Sequence, residues 1–345
     1  MSDAERARPA PPAPPGSPIP LALICGLDHH TIQEETQVFE ASGVRFRRSL
    51  ARTEDDLLRE CGDANAMLVQ YGALTQRVFE GLPNLRVVVR YGVGVDGVDL
   101  AAATGHGVAV VNVPDYGTDD VANHAVALLL ALVRKITRLD RQTRAGRWDV
   151  FLVGPMSRFA GRTVGILGCG RIGSSVAKKL AGFEVRLLGC DPYVTAFPPG
   201  VQPVSFERLL EESDFLTLHC PLTPETHHLI DEKALGRMRS TAVLINTARG
   251  GIVDTAALVE ALSMGLLAGA GLDVLEEEPI DSASPLLQME QVIVTPHAAW
   301  YSEEGRSDLK RRVAEEAVRV LRGERPRHCV NPEVFRRGSG AAPAR

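Results

Sequence analysis

The stretch TVGILGCGRIG, Thr163–Gly173, places a β-branched and apolar run directly before three glycines spaced as GxGxxG. An apolar side chain then recurs every four positions, at Ile172, Val176 and Leu180, which is the spacing of one helix face. A strand, a tight glycine turn and a helix in this order suit a phosphate group at the helix amino terminus. The stretch therefore predicts the first strand, turn and helix of a dinucleotide-binding domain.

An acidic residue stands where a dinucleotide site needs one. Asp191 lies 18 residues past Gly173, at the end of the next apolar run, VRLLGCD. A carboxylate at this position can accept hydrogen bonds from the adenosine ribose diol, and no arginine follows closely to bind a 2′-phosphate. The sequence therefore predicts NAD as the cofactor in preference to NADP.

A second GxGxxG match, at Gly92, Gly94 and Gly97, stands in a different context. Asp96 inside it would repel a phosphate, and Gly105 stops the following helical pattern after little more than one turn. The main-chain amides of Gly92–Gly94 could instead bind a small anion such as a carboxylate. A tight turn without any ligand explains these glycines equally well at this point.

Short apolar runs alternate with helical patterns twice along the chain, before and after a long helix predicted over Thr118–Arg144. The fold class is therefore α/β, with two Rossmann-like or flavodoxin-like doubly wound parallel-sheet domains and a cleft between them. The final helical pattern, Ser307–Gly323, carries an apolar stripe that needs a surface to cover. Residues 1–18 and 336–345 are predicted to be disordered tails, and the surface that the final helix covers stays open at this point.

Composition narrows the classes of partner. With a net charge of -5 over 345 residues, the chain has no net positive field to attract nucleic acid. The longest apolar run, Val121–Val133, is too short to span a bilayer. Six scattered cysteines without a CxxC pair suit a reducing compartment, and the histidines lack metal-ligand spacing. We therefore expect a cytoplasmic protein without nucleic-acid, membrane or metal partners.

Three residues near predicted strand ends could supply the chemistry of hydride transfer: Arg249 in NTARGGIVD, Glu278 in LDVLEEEP and His297 in TPHAAW. Histidine can take or give the hydroxyl proton, a carboxylate can orient its ring, and a guanidinium can bind a substrate carboxylate. Structural alternatives stay open for each residue. They are a solvated loop arginine, one of three exposed acids in Glu276–Glu278, and a packed histidine.

GCGRIG, NTARGGIVD, GLDVLEEEP and TPHAAW, in this order, resemble motifs of the D-isomer-specific 2-hydroxyacid dehydrogenases over about residues 19–335. The resemblance implies a substrate-binding domain built from both ends of the chain (19–116 plus 303–335), with an NAD-binding Rossmann domain (117–302) inserted between them. It further implies a homodimer that interconverts a small D-2-hydroxy acid and its 2-oxo acid with NAD. It also implies that Arg249 anchors the substrate, that His297 is the acid/base and that Glu278 is the partner of His297.

The glycine motifs and the resemblance together give two sets of expected binding residues. The residues expected to contact the cofactor are Gly168, Gly170, Arg171, Ile172, Gly173, Asp191, His219, Cys220, Pro221, Thr226, Thr247, Ala248 and, on the nicotinamide side, Asp273. The residues expected to contact the substrate are Tyr91, Gly92, Val93, Gly94, Arg249 and Trp300.

The stretch HAAWYSEE, residues 297–304, resembles the branch of this family that contains the carboxy-terminal-binding corepressors. That resemblance implies that Trp300 borders the substrate. It also raises an alternative function, an NADH-responsive binding module with little or no turnover. The complete Arg, Glu and His set favours an enzyme, because a sensor of NADH needs no acid/base.

Overall fold

The computed structural model describes residues 19–27 and 31–336, so both predicted tails except Arg336 lie outside the described residues. The chain divides after Tyr116 and after Ser302 into two compact units. We call the part before Gly117 and after Ser302 unit 1, and Gly117–Ser302 unit 2.

Unit 1 alternates strands and helices along the chain. These are β1 (Leu21–Cys25), α1 (Gln33–Ser42), β2 (Arg45–Ser49), α2 (Glu54–Glu60), β3 (Ala66–Val69), α3 (Gln76–Gly81), β4 (Val87–Arg90), α4 (Leu100–Gly105), β5 (Ala109–Val111) and the chain's last α-helix, α11 (Glu303–Leu321). The strands form a parallel sheet in the order β2-β1-β3-β4-β5, which is the flavodoxin-like order. Both β1 and β3 are buried along their whole length, as expected for a sheet covered on two faces.

Helix α11 completes unit 1, although it follows β5 by nearly two hundred residues of sequence. Arg86, next to β4, donates hydrogen bonds to the last carbonyl groups of this helix, those of Val320 and Leu321, at 3.3 and 3.1 Å. From the middle of the helix, the buried Lys310 donates to the carbonyl of Thr31 at 2.7 Å and pairs with Glu34. The apolar stripe of α11 is buried as well, and the helix belongs to unit 1.

Unit 2 begins with two helices and continues as a strand and helix alternation. Its elements are α5 (Thr118–Val133), α6 (Ile136–Arg144), β6 (Thr163–Leu167), α7 (Arg171–Leu180), β7 (Arg186–Cys190), β8 (Val201–Pro203), α8 (Phe206–Glu212), β9 (Phe215–Leu218), α9 (Glu232–Arg237), β10 (Val243–Asn246), α10 (Thr255–Ser263), β11 (Gly269–Leu272) and β12 (Val292–Val294). The seven strands are parallel in the order β12-β11-β10-β9-β6-β7-β8. The chain direction across the sheet reverses at β6, and doubly wound folds bind nucleotides at such a switch point. The predicted fold class of two parallel α/β sheets is confirmed.

The single helix predicted over Thr118–Arg144 is wrong, because the chain breaks it into α5 and α6. Lys135 lies between them in the left-handed region, with φ +51°. Its ammonium group donates a 2.6 Å hydrogen bond to the carbonyl of Val153. Neither glycine nor proline stands at the break, so no local residue type marks it in the sequence. The contact that accompanies the turn is with a residue 18 positions later.

Membrane-spanning helices require both length and continuous apolarity. Across residues 19–27 and 31–336, no helix meets both conditions.

Candidate active site

The glycine turn of unit 2 connects β6 to α7. A Cβ atom on Gly168, whose φ is +89°, would lie 2.6 Å from the main-chain nitrogen of Cys220. A Cβ atom on Gly173 would lie 2.1 Å from the carbonyl oxygen of Gly168. At Gly170 the added atom would meet no heavy atom of the described residues within 4 Å beyond its chain neighbours. The first and third glycines thus allow close backbone packing, and the second faces open space.

The carboxylate of Asp191 fixes the glycine turn to the end of β7. One oxygen accepts a hydrogen bond from the amide of Cys169 at 2.8 Å, and the other accepts from the amide of Tyr193 at 2.9 Å. Each carboxylate oxygen has more than one acceptor position. The half-buried side chain of Asp191 can therefore still accept hydrogen bonds from a bound hydroxyl group.

Two buried polar atoms lie at the ends of neighbouring strands. Among the described residues, Nδ1 of His219, after β9, and Oγ1 of Thr247, after β10, have no hydrogen-bond partner. Nε2 of His219 lies 2.9 Å from Oγ1 of Thr217, and burial lowers the pKa of His219, so its ring is neutral near pH 7. Buried polar atoms are normally paired. The open turn, the free acceptor positions of Asp191 and these two atoms therefore fit a dinucleotide.

The other predicted cofactor residues lie on the same elements. Arg171 and Ile172 begin α7. After β9, the hydroxyl of Thr226 donates to the carbonyl of Pro221 at 2.7 Å. Cys220 lies in this segment beside Gly168, and Ala248 follows β10.

His297 and Glu278 form a close pair beyond the ends of β12 and β11. Nδ1 of His297 lies 2.7 Å from one carboxylate oxygen of Glu278, and the other accepts from the amide of Leu275 at 3.0 Å. Burial alone would raise the pKa of Glu278, but these two hydrogen bonds and the charges of His297 and Arg249 bring it below its ordinary value. An ionised carboxylate only accepts hydrogen bonds. Nδ1 is therefore the donor, which leaves Nε2 of His297 to bind another group.

The segment that carries His297 is fastened to Asp273. His297 has φ +53°. Non-glycine residues rarely adopt this backbone conformation, and those that do are frequently found at functional sites. The amide of His297 donates to the carbonyl of Asp273 at 2.8 Å. The Asp273 carboxylate, 2% exposed, accepts from the hydroxyl of Thr295 at 2.6 Å and from the amides of Ala298 and Ala299 at 2.9 Å. This carboxylate therefore orders the loop on both sides of His297.

Sequence reasoning missed the contribution of His124, which interrupts the apolar run of α5. Its Nε2 atom lies 2.9 Å from the hydroxyl of Thr295 and 3.4 Å from the carboxylate of Asp273. A polar residue on the buried side of an apolar helix was the only available signal, because its partners lie more than a hundred residues away in sequence.

Asn246, at the end of β10, shapes the loop that carries Arg249. Its buried side-chain amide donates to the carbonyl of Arg249 at 2.8 Å and accepts from the amide of Ala248 at 3.0 Å. A Cβ atom on Gly250 would lie 1.9 Å from the carbonyl carbon of Leu275, so this loop contacts the segment before Glu278. The structure thus brings together Arg249, Glu278 and His297, which follow three adjacent strands.

The predicted anion-binding turn lies in unit 1, directly after β4. The carbonyl oxygens of Gly92, Val93 and Gly94 accept hydrogen bonds from the amide of Val113 (3.1 Å), the side chain of Asn112 (2.6 Å) and the guanidinium of Arg90 (3.4 Å). These carbonyl groups, which would repel a carboxylate, are therefore used within unit 1.

The other two predicted substrate residues have contacts within their own units. Tyr91 is buried, and its hydroxyl donates to Glu35 at 2.8 Å. The half-buried Trp300 packs edge-on against Tyr301, with ring centroids 5.6 Å apart.

A sequence model of the D-isomer specific 2-hydroxyacid dehydrogenase family, described as its NAD binding domain, matches residues 126–299. The matched range lies within unit 2 and contains the glycine turn, Asp191 and the three strand-end residues.

Relatives from three organisms extend the similarity beyond unit 2. A glyoxylate reductase of Korarchaeum cryptofilum is 47% identical over 266 residues, 75% of this chain and 80% of that protein. A D-3-phosphoglycerate dehydrogenase of Archaeoglobus fulgidus is 37% identical over 304 residues, 87% of this chain and 57% of that longer protein. The solved structure of an NAD-dependent formate dehydrogenase from Staphylococcus aureus in complex with NAD has a TM-score of 0.80 and 34% identity, covering 88% of this chain and 96% of that one. These relatives are enzymes, and the corepressor branch stays a prediction from HAAWYSEE.

Proposed function

This chain belongs to the D-isomer-specific 2-hydroxyacid dehydrogenases, and on that premise we propose that it interconverts a small D-2-hydroxy acid and its 2-oxo acid. The chain is an NAD-dependent enzyme of this family. The observation that carries the finer proposal is the pair of His297 and Glu278, which occupies Nδ1 of the ring and leaves Nε2 to act, and the charge of Arg249 also acts on this Glu278.

His297 is the proposed acid/base. NAD supplies the hydride acceptor for oxidation and, in its reduced form, the hydride donor for reduction. In oxidation, Nε2 of His297 takes the proton of the substrate hydroxyl group, and in reduction it returns that proton to the new alkoxide. The ionised Glu278, 2.7 Å from Nδ1, stabilises the imidazolium formed in the first case and keeps the ring in one orientation.

Each part of the glycine turn is proposed to contact a particular group of NAD. The turn Gly168–Gly173 and the amino terminus of α7 bind the pyrophosphate, and Asp191 accepts hydrogen bonds from the adenosine ribose. His219 and Thr247 contribute the two buried atoms that have no hydrogen-bond partner among residues 19–27 and 31–336. The remaining proposed contacts are Arg171, Ile172, Cys220, Pro221, Thr226, Ala248 and Asp273.

Arg249 is the proposed anchor of the substrate carboxylate in unit 2, because a guanidinium can bind it through two parallel hydrogen bonds. Trp300 is proposed to border the substrate. In unit 1, the amides of Gly92–Gly94 are proposed to bind a carboxylate, since the carbonyls of that turn already have donors. The hydroxyl of Tyr91 is paired with Glu35, so we assign Tyr91 to this turn through its main chain.

A short 2-oxo acid is the proposed substrate class, and glyoxylate is the first to test because the Korarchaeum cryptofilum relative and several others are named glyoxylate reductases. The assay follows NADH oxidation with glyoxylate, pyruvate, hydroxypyruvate and longer 2-oxo acids. We expect turnover that is fastest with the two- and three-carbon acids. A protein that binds NADH and reduces none of them would contradict the proposal and favour a corepressor-like module.

His297→Ala tests the residue that carries the mechanism. We expect kcat to fall by about 10²- to 10⁴-fold with unchanged NADH affinity, as for a lost acid/base. The matched control is His106→Ala, which removes an exposed histidine of unit 1 and should keep full activity. Unchanged kcat in His297→Ala would exclude that role.

We propose a homodimer, supported by an exposed apolar surface on unit 2. Trp148 and Phe151 are 91% and 86% exposed, and large apolar side chains grouped on a surface mark interaction sites. Other members of this surface are Ile136, Val150 and Leu152. Light scattering should give the mass of two chains for the wild type and of one chain for Trp148→Ser/Phe151→Ser. A monomeric wild type would refute the proposal.

A further inference from the structure

Unit 2 contains a second histidine and glutamate pair, formed by His228 and Glu276. Nε2 of His228, in the loop between β9 and α9, lies 2.6 Å from one carboxylate oxygen of Glu276. Glu276 stands two positions before Glu278, in the segment that follows β11. One short segment therefore supplies the carboxylate partners of two histidines, His228 and His297.

The two histidines share an uncommon backbone conformation. His228 has φ +52° and His297 has φ +53°. A non-glycine residue in this region is maintained by the contacts around it and often marks a functional site. The amide of His228 donates to the carbonyl of Gly251 at 2.8 Å, which ties its loop to the loop after Arg249.

The carboxylate of Glu276 joins a third element to this pair. Its second oxygen accepts from the amide of Thr255, the first residue of α10, at 2.7 Å. Burial alone would raise the pKa of Glu276, but its hydrogen bonds with Thr255 and His228 keep the pKa below its ordinary value. Glu276 is therefore ionised near neutral pH, and it connects the loop of His228, the segment after β11 and the start of α10.

The His228–Glu276 pair lies next to the two loops that carry Arg249 and Glu278. Gly250 follows Arg249, and a Cβ atom on it would lie 2.4 Å from the amide nitrogen of Glu276. The amide of Leu275 donates to Glu278, so a shift of Leu275–Glu276 would move the carboxylate that orients His297. The His228–Glu276 pair thus fastens the backbone from which both Arg249 and Glu278 project.

We infer that His228 and Glu276 are positioning residues that set the spacing between Arg249 and the Glu278–His297 pair. This inference rests on the proposed function for its kinetic part, because a misplaced anchor or acid/base lowers the rate without any lost contact to the substrate. Neither residue is assigned a contact with substrate or cofactor.

The first test needs no turnover. Amide hydrogen exchange, read by mass spectrometry, should be at least about fivefold faster in peptides covering 249–255 and 274–279 of His228→Ala than in the wild type. His227→Ala is the matched control, because its exposed ring stacks on His228 but is not the partner of Glu276. His228→Gln supplies a side-chain hydrogen-bond donor for Glu276 and should restore most of the protection. Equal exchange in wild type and His228→Ala would overturn the inference, whatever the activity.

The second test is kinetic. His228→Ala and Glu276→Gln should lower kcat/KM for the 2-oxo acid by roughly 10- to 100-fold, with a lower kcat, a higher KM and an NADH affinity within about twofold of wild type. His228→Gln should recover to within about threefold of wild type.

The outcomes separate the two proposals. An active wild type whose His228→Ala variant keeps its kcat/KM, or loses NADH affinity in parallel, would refute the positioning role alone. A wild type that reduces no 2-oxo acid would refute the proposed function, and the exchange experiment would still decide whether the pair fastens these loops.

Discussion

Residues 168–170 alone separate the end of β6 from the start of α7 in unit 2, whereas residues 91–99 separate β4 from α4 in unit 1. Three glycines with the same spacing begin in each connection, but Gly173 already lies within α7, whereas Gly92, Gly94 and Gly97 all precede α4. Helix α7 has ten residues and leaves the turn at once, while α4 has six and begins only at Leu100. A helix amino terminus can face a phosphate only in the first arrangement.

Backbone approach separates the two turns further. In unit 2 a Cβ atom on the third glycine, Gly173, would lie 2.1 Å from Gly168, the first. In unit 1 a Cβ atom on Gly97 would lie 3.3 Å from the carbonyl of Gly72, outside the turn. Glycine spacing is therefore informative only together with the contact that each glycine permits.

The largest expected difference between the turns is at their third glycines. Gly173→Ala forces α7 away from Gly168, so we expect NADH binding about 100-fold weaker and a Tm lower by several degrees. Gly97→Ala should change NADH affinity by less than about twofold, because Gly97 lies in unit 1 and its added Cβ atom would meet the carbonyl of Gly72, not the turn assigned to NADH. Fluorescence titration and thermal melting measure both quantities, and equal losses in the two variants would erase the distinction.

A smaller effect is expected where the unit 2 turn is open. Gly170→Ala adds a methyl group that touches no described residue beyond its neighbours, so the Tm of the free protein should hold. NADH binding should weaken by roughly tenfold, because the methyl group occupies space assigned to pyrophosphate.

Gly92→Ala in unit 1 should have the opposite pattern of effects. Its Tm should fall because alanine is strained at φ +121°, and its NADH affinity should stay unchanged. Full NADH affinity in Gly170→Ala would place the pyrophosphate elsewhere.

The aspartates that follow the two turns give a matched pair, since each lies 18 residues past its third glycine. Asp191 caps the unit 2 turn, whereas Asp115 pairs with Arg312 at 2.5 Å within unit 1. Asp191→Ala should reduce the preference for NADH over NADPH by about tenfold, because a hydrogen bond to the ribose is lost. Asp115→Ala should leave the preference unchanged. An effect of equal size at both positions would argue against the ribose contact.

The smallest expected effect concerns pH, and its sign differs between the units. The folded protein lowers the pKa of Glu278 from 4.5, so its carboxylate stabilises unit 2 above that pH and loses the effect as pH falls through the folded value. Burial raises the pKa of Glu35 in unit 1, outweighing hydrogen bonding by Tyr91 and the charge of Lys310, so stability falls as pH rises above 4.5. Glu278→Gln should therefore lower the Tm by about 1–2 °C at pH 7, and its difference from wild type should shrink as the pH falls below 4.5. The Tm of Glu35→Gln relative to that of wild type should be higher at pH 7 than at pH 4. Melting curves in which both variants change relative to wild type in the same direction with pH would contradict this assignment.

Much of the fold was readable from local patterns. The alternation of apolar runs and helical patterns predicts two parallel sheets, because each pattern extends over a whole strand or helix. The turn around Gly168 and the strand-end positions of Arg249, Glu278 and His297 follow from short motifs. The break at Lys135 was not predictable, since its partner, the carbonyl of Val153, lies in a separate segment.

The supporting contacts of the site were hidden for the same reason. His124 and Thr295 are 171 positions apart, and His228 and Glu276 are 48 apart. In the sequence, His228 is one of two adjacent histidines and Glu276 is one of three adjacent acids, so neither pattern indicates a partner. Pairings between loops depend on strand order, which becomes known only when the sheet is assembled.

Strand β4 and the carboxyl end of α11 are joined through Arg86, whose guanidinium donates to carbonyl groups 234 and 235 positions later. During synthesis, the ribosome completes the whole of unit 2 before it adds α11, the last described α-helix of unit 1. Unit 2 can therefore fold first, while the sheet of unit 1 still lacks α11 and leaves the face that α11 covers exposed. A chain stalled shortly after Ser302 would contain one complete unit and one that still offers apolar surface to chaperones.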